Sequence, residues 1–501
     1  MKKLSIILAL VFVFSSCKQS AKTAVSSNKQ SYTPISKADM ENAVIYEVNI
    51  RQYSESGSFS AFTNDIPQLK ELGVKIIWVM PIFPISETKR KATGGDFAYL
   101  IEDETERNKM LGSYYAVSDF TKVNPEFGTI NDFRHMIKTA HDNGMFVILD
   151  WVPNHTGWDH NWLTTNPEYY TQNENGEVID PINPDTGESW GWADVADLNY
   201  DNKEMRQEMI EDMLYWVKEE GVDGFRCDVA SAVPLDFWED AIPKLRSEKS
   251  LFMLAEADQP NLLKGKDLFD MAYGWERHHI FNQMANSDNA VALWNEVYKT
   301  DTDRYEQEDI LMNFVTNHDE NSWNGTVRER MGDASELLTA LSFVVPGMPL
   351  IYSGQEYDLG HRLLFFEKDQ IPHTKKTMWP LLEKLGQLKN SSPALNGGKS
   401  AAAYNKIEQD NSKVLAFKRE KDGQTVTFLG NFSSTNEQLK NPSVGAADYA
   451  SGKIELSKKS TNIFIKIEDD GPGIPESEYD NVFKPFYKID KGRGEKKSSV
   501  G

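Results

Sequence analysis

The chain has 501 residues, 40% of them hydrophobic, which allows a sizeable core and two or three domains of ~100–200 residues each. Its formal net charge of −22 supplies no basic surface and argues against a nucleic-acid partner. Twelve Trp and 19 Tyr provide rings that fill cores and can also stack on pyranose faces.

The N-terminus carries the parts of an export signal. Met1-Lys2-Lys3 is basic, and Leu4 to Phe14 is an apolar run too short for a mature membrane helix, which needs ~20 residues. Residues 1–16 are therefore read as a signal peptide. Phe14-Ser15-Ser16-Cys17 resembles a bacterial lipoprotein box. That resemblance implies that Cys17 is lipidated and that the protein is an exported outer-membrane lipoprotein facing the periplasm or the cell surface. The alternative is an ordinary cleavage site beside an incidental Cys. Residues 17–39 are read as the lipidated Cys and a polar, disordered tether. The other cysteine is Cys227, so with Cys17 lipidated no internal disulfide can form.

From about residue 40, short apolar β runs alternate with amphipathic helices. The strand candidates are Ala43 to Val48, Lys75 to Met80, Met145 to Asp150, Val222 to Asp228, Leu251 to Glu256, Leu268 to Met271, Ile310 to Thr316 and Met348 to Tyr352. Apolar spacing at i, i+3 and i+4 predicts helices over Phe62 to Leu72, Ile130 to Asn143, Lys203 to Glu220 and Ala334 to Val344. The pattern predicts a (β/α)8 TIM barrel over residues 40–395, although a doubly wound sheet has the same local signature. The connection after strand three is about fifty residues long, improbable for a bare loop, and 153–199 is read as an inserted subdomain. After about Asn396, Val414 to Lys418 and Thr425 to Asn431 are β-rich runs around a Gly turn. They predict an antiparallel β-sandwich over 396–467.

Polar and acidic residues gather at the predicted strand ends. Strand three ends in Asp150-Trp151-Val152-Pro153-Asn154-His155, strand four reads Gly224-Phe225-Arg226-Cys227-Asp228, strand five ends in Leu254-Ala255-Glu256, and strand seven leads into Asn317-His318-Asp319. In a barrel these ends share the face that carries active sites. Converging carboxylates repel and lose solvation, so such a cluster points to chemistry. Glycoside hydrolysis needs this set: one carboxylate to attack the anomeric carbon, and a second carboxyl kept protonated to donate to the leaving oxygen. An Arg two residues from the nucleophile would hold it ionised.

These segments resemble the signature regions of the α-amylase superfamily, glycoside hydrolase family 13. Asp150 to His155 matches D-x-x-x-N-H, Gly224 to Asp228 matches G-x-R-x-D, Glu256 matches the acid/base region, and Asn317 to Asp319 matches N-H-D. Val195-Ala196-Asp197-Leu198-Asn199 and Gly112-Ser113-Tyr114-Tyr115 resemble two further family stretches. The resemblance spans roughly residues 40–400 with the motifs in family order. It implies a retaining hydrolase of α-1,4-glucans such as starch or maltodextrin. Asp228 would be the nucleophile, Glu256 the acid/base and Asp319 the transition-state stabiliser. Arg226 would orient Asp228, His155 and His318 would bind the same sugar, and Tyr115 would stack beneath it. An α-1,6-glucosidase, a transglycosylase and a non-catalytic glucan-binding lipoprotein stay open as alternatives. His279 and Trp323 are further cleft candidates, or packing and loop positions.

The resemblance also implies Asn154 and Asp197 as ligands of a Ca2+ ion, with no organic cofactor and a monomeric enzyme. Here Ser231 and Ala232 stand where many family members have Lys-His, which removes a carbonyl partner of that calcium. Asn154 and Asp197 could instead tie the inserted segment down by hydrogen bonds. Finally, Asp469-Asp470-Gly471-Pro472-Gly473 and Asn481-Val482-Phe483-Lys484-Pro485-Phe486 resemble two boxes of a sensor histidine kinase ATPase domain. No phosphoacceptor segment or upstream Asn box accompanies them. The tail 468–501 is therefore expected to be a poorly ordered fragment without ATP binding.

Overall fold

The computed structural model describes residues 32–183, 186–264, 268–440 and 453–467. Residues 1–16, read above as a signal peptide, Cys17 and the tail 468–501 lie outside the described residues. Eight parallel strands close a barrel: β1 (Val44–Val48), β2 (Val74–Val79), β3 (Phe146–Trp151), β4 (Gly224–Cys227), β5 (Phe252–Ala255), β6 (Met271–Tyr273), β7 (Leu311–Asn313) and β8 (Met348–Tyr352). Each strand pairs with its successor in sequence, and β8 returns to β1. This is the (β/α)8 barrel and not the doubly wound sheet.

The strands are apolar on both faces, as strands buried on both sides must be. Ile45, Ile76, Ile148, Leu254, Met312 and Leu350 point inward and pack on one another. The alternate positions, such as Val44, Tyr46, Ile77, Val147 and Leu149, pack against the surrounding helices. Because strand side chains alternate with a period of two, the next inward positions above Ile45, Ile148 and Leu254 are Glu47, Asp150 and Glu256. Arg226 stands likewise two residues above Gly224. The interior therefore changes from apolar to charged at one level, at the C-terminal ends of the strands. Gly224 has φ 151°, and a Cβ there would lie 1.8 Å from the Phe252 carbonyl oxygen, so β4 and β5 meet this closely only with glycine.

The helices that cover the sheet include α1 (Lys37–Glu41), α2 (Phe59–Leu69), α3 (Ile130–Asp142), α4 (Lys203–Tyr215), α5 (Leu235–Arg246), α6 (Trp275–Ala285), α7 (Ala290–Arg304), α8 (Ser335–Val344) and α9 (Met378–Ser391). Thr129 and Asp132 form a capping box at the start of α3. Helix α4 is four-residue hydrogen-bonded only to Tyr215. A π turn, Trp216–Glu220, completes the predicted stretch and ends at Gly221, φ 79°. Two other boundaries differ from expectation. The ordered chain starts before residue 40: Ile35 is buried, Ser36 caps α1, and Ile35 and Met40 join the barrel's inner cluster and plug its lower end. The sixth strand begins at Met271, because Leu268 and Phe269 are spent on outward packing, with Phe269 against Trp238 of α5 at 5.0 Å.

The segment after β3 is pinned at both ends. His155–Gly157 pairs antiparallel with Val195–Asp197. A Cβ on Gly157 would lie 2.4 Å from Ser86 Cβ, so this ribbon sits directly against the loop after β2. The C-terminal sheet contains β9 (Asn405–Lys406), β10 (Val414–Lys421), β11 (Gln424–Asn431) and, at its edge, Ser460–Ile467. A two-stranded sheet, Glu437–Lys440 with Lys453–Leu456, covers one face through Leu439, Ile454 and Leu456. The result is the expected antiparallel sandwich. Two buried cations brace the junction with the barrel, Arg419 from the sheet and Lys389 from within the barrel unit. Arg419 of β10 donates to the carbonyls of Asn396 at 2.7 Å and Val344 at 3.3 Å, and Lys389 of α9 donates to those of Leu395 at 2.5 Å and Gly347 at 3.0 Å.

Candidate active site

Arg226 is the centre of the charged layer. Its side chain is fully buried, and one terminal nitrogen, Nη1, donates to Asp150 Oδ1 at 2.7 Å and Asp228 Oδ1 at 2.8 Å. The other, Nη2, lies 2.8 Å from Glu256 Oε1. Trp78 stacks its face on the guanidinium at 5.0 Å and donates from its indole N–H to Asp150 Oδ2 at 3.1 Å. One cation therefore holds three carboxylates that come from three strands.

Burial disfavours charge on each of these acids. It raises Asp228 to about 6 against the pull of Arg226, and it raises Asp150 to about 6 as well. Glu256 goes furthest, to about 7, because burial and the neighbouring Asp228 and Asp319 charges together exceed the effect of Arg226. Its Oε2 also accepts the Val229 backbone N–H at 2.8 Å. Val229 holds φ 42°, a left-handed conformation that a β-branched residue rarely adopts. The strained residue thus directly follows Asp228 and aims its N–H at Glu256.

Asp319 lies at the mouth, with its side chain 38% exposed and its Oδ2 3.2 Å from His318 Nε2. Tyr115 reaches across with its hydroxyl, 2.8 Å from His318 Nε2 and 3.1 Å from Asp150 Oδ2. His155 is buried, and burial lowers it to about 3, so it enters the site as a neutral ring. These side chains line one cleft of about 710 Å3 that runs from Trp192 of the inserted segment past Asp228 and Glu256 to Trp323 and Phe365. Trp192 stacks on the exposed Trp190 at 5.3 Å, and Trp323 packs on Phe365 at 5.1 Å, so both ends are aromatic.

Residues 26–378 match the family model described as the α-amylase catalytic domain. The chain belongs to the α-amylase family. It is 25% identical to the α-amylase MalA of Haloarcula japonica over 404 residues, 79% of this chain and 56% of that protein. It is 28% identical to a 4-α-glucanotransferase of Thermotoga neapolitana over 62% of this chain and 71% of that protein. The crystal structure of an α-amylase from Lactobacillus plantarum, 27% identical, superposes with a TM-score of 0.73 over 86% of this chain and all of that one. The chain thus spans little more than half the length of the Haloarcula relative.

Set in this family, the sequence-derived residues divide cleanly. Asp228, Glu256, Asp319, Tyr115, His155 and His318 all line the cleft, and Arg226 lies directly beneath it. Trp323 lines it too. His279 does not: it is exposed on α6 and stacks on Trp275 at 6.1 Å. Asn154 and Asp197 sit together where the inserted segment closes, the Asn154 carbonyl accepting from Leu198 N and the Asp197 carbonyl from Thr171 N. Burial raises the Asp197 carboxyl to about 6, with the Thr171 hydroxyl as its side-chain partner. Among the described residues no three His, Cys, Asp or Glu side chains cluster as a metal site. One carboxylate and one amide fall short of the six to eight oxygens that calcium takes. Any further oxygens for such an ion would have to come from backbone carbonyls or water. Sequence reasoning missed Trp78, Trp192 and Phe365, whose positions carry no motif, and Glu47, taken up below.

Proposed function

We propose that this protein is a retaining glycoside hydrolase that cleaves α-1,4-glucosidic bonds in starch, maltodextrin or related α-glucans. The observation that carries the reading is the split of two carboxyls across one guanidinium, Asp228 on Nη1 and Glu256 on Nη2, with Glu256 the harder to ionise. Near pH 6–7 such a pair supplies an ionised nucleophile and a protonated acid. Asp228 attacks the anomeric carbon while Glu256 gives its proton to the departing glycosidic oxygen. A glycosyl ester on Asp228 and the shortened glucan result. Glu256, now ionised, takes a proton from water, whose oxygen displaces Asp228 and restores the α configuration. Asp319, at the mouth, is placed to receive hydroxyls of the distorted sugar. Glucan transfer is the second reading: it is supported by the name of the Thermotoga relative and by the aromatic walls at both cleft ends, which would hold an acceptor sugar in place of water. A time course on amylose, maltoheptaose and isomaltose decides between them. Falling chain length with α-anomers formed first supports hydrolysis. Products longer than the substrate support transfer, and release of glucose from isomaltose alone would overturn the linkage. The lipid anchor is a separate proposal that rests on the sequence around Cys17. Cys17→Ala is expected to release the protein from membranes with its activity intact.

A further inference from the structure

Strand β1 delivers a carboxylate to the cleft floor that the reaction above does not use. Glu47 is fully buried, and its Oε1 lies 2.5 Å from His318 Nδ1. Among the described residues no protein group hydrogen-bonds its Oε2. His318 is therefore what this carboxyl is built to hold. Two rings flank the imidazole: Trp78 meets it edge-on at 6.0 Å, and Tyr115 lies tilted by 26° at 5.5 Å. Its second nitrogen, Nε2, faces Tyr115 Oη at 2.8 Å and Asp319 Oδ2 at 3.2 Å.

We propose that Glu47 is a positioning residue of the active site: it fixes His318 through Nδ1 so that the Nε2–H is presented to Tyr115, Asp319 and the bound sugar. The proposal rests on the glycoside-hydrolase reading for its kinetic consequence, but not for its geometry. An imidazole donates from both nitrogens only when it is protonated, and here both nitrogens face acceptors. The Tyr115 hydroxyl gives its own hydrogen to Asp150 Oδ2, which leaves its oxygen free to accept from His318. The hydrogen bonds thus run in one direction, from His318 through Tyr115 to Asp150, and Asp150 in turn holds Arg226. Among the described residues, the charged and titratable groups that act on the ring are Glu47 from β1, Asp150 from β3, Arg226 from β4, Asp319 beside it and the Tyr115 hydroxyl. Burial opposes charge on His318, yet Asp319 and Glu47 outweigh both burial and Arg226 and lift it to about 9. The ring then stays cationic wherever Glu256 can still be protonated.

Glu47→Gln keeps the acceptor for Nδ1–H and removes only the charge. The test uses the full chain with 15N-labelled histidine rings, His318 being assigned by its absence in His318→Gln. In the unaltered protein His318 is expected to titrate above about pH 8, and in Glu47→Gln at least one pH unit lower. The ratio of wild-type to variant kcat on maltoheptaose should grow at least about twofold between about pH 5.5 and pH 8, with KM moving less. A parallel loss at every pH with an unmoved His318 titration would mean that Glu47 merely fills space, and would overturn the proposal. If the variant does not fold, the wild-type titration still decides: a His318 that loses its proton below about pH 7 refutes it. If the chain proved inactive on every glucan, the histidine titrations would stand alone, and the failure would belong to the functional reading.

Discussion

Asp228→Asn is expected to abolish turnover and at the same time to stabilise the protein, by an amount that depends on pH. In the folded chain burial raises the Asp228 carboxyl to about 6, whereas an unfolded Asp ionises near 3.9. The folded state therefore holds this proton more tightly than the unfolded state does. Below about pH 4 both forms are protonated and the side chain imposes no penalty. As the pH rises through 6 the folded protein must carry the buried charge, and the difference of about two pH units corresponds to a loss of ~3 kcal/mol. Asn resembles the protonated carboxyl in shape and charge, so the variant should recover roughly 1–3 kcal/mol above about pH 7 and nothing near pH 4. For a chain of this size that is a rise in Tm of roughly 2–5 °C. Melting curves followed by circular dichroism from about pH 4 to 8, for both proteins in parallel, give the difference directly. A Tm difference that does not change with pH, or a variant less stable than the parent at pH 8, would refute the electrostatic account. Residual hydrolysis above about 1% of the parent rate would place the nucleophile elsewhere.

Glu256→Gln should lower kcat on maltooligosaccharides by about 10²–10⁴, yet cost far less on an α-glycosyl fluoride, whose leaving group needs no proton. The rate itself should be greatest between about pH 6 and 7: below 6 Asp228 takes up a proton and above 7 Glu256 loses one, so a flat profile to pH 9 would contradict the assignment. Trp192→Ala and Trp323→Ala should each reduce kcat/KM for maltoheptaose roughly tenfold more than for the shortest cleaved maltooligosaccharide, because stacking at the cleft ends serves only longer chains. EDTA is expected to leave both Tm and rate unchanged, and a fall reversed by added Ca2+ would show that backbone oxygens complete a metal site around Asn154 and Asp197.

The site was legible where chemistry and strand ends coincide. Asp150, Arg226, Asp228 and Glu256 each stand at or near the top of a short apolar run that can be read locally as a strand, so their convergence follows once the barrel is inferred. Glu47 obeys the same pattern but belongs to no motif, and its meaning comes from a ring 271 residues away. Trp192 lies in an insertion with no periodicity to place it. Helix α6 was not singled out because Arg277 and His278 interrupt its buried stripe. They are tolerated there because Arg277 meets Asp301 at 2.6 Å and His278 lies 3.1 Å from Glu320, partners that local spacing does not reveal. The sixth strand was misplaced for the converse reason: an apolar pair can face a helix as readily as it can begin a strand.

Arg419 has a consequence for how this chain could be shortened or recombined. Its guanidinium reaches out of the C-terminal sheet to cap carbonyl oxygens of the barrel, at the end of α8 and in the connector that follows α9. Cutting the chain near residue 396 would strip those oxygens of their donor and uncover the apolar ground shared by Leu337 of α8 and Phe428 of β11. The sandwich is thus less an appended module than the barrel's missing wall, and a catalytic fragment made without it should aggregate.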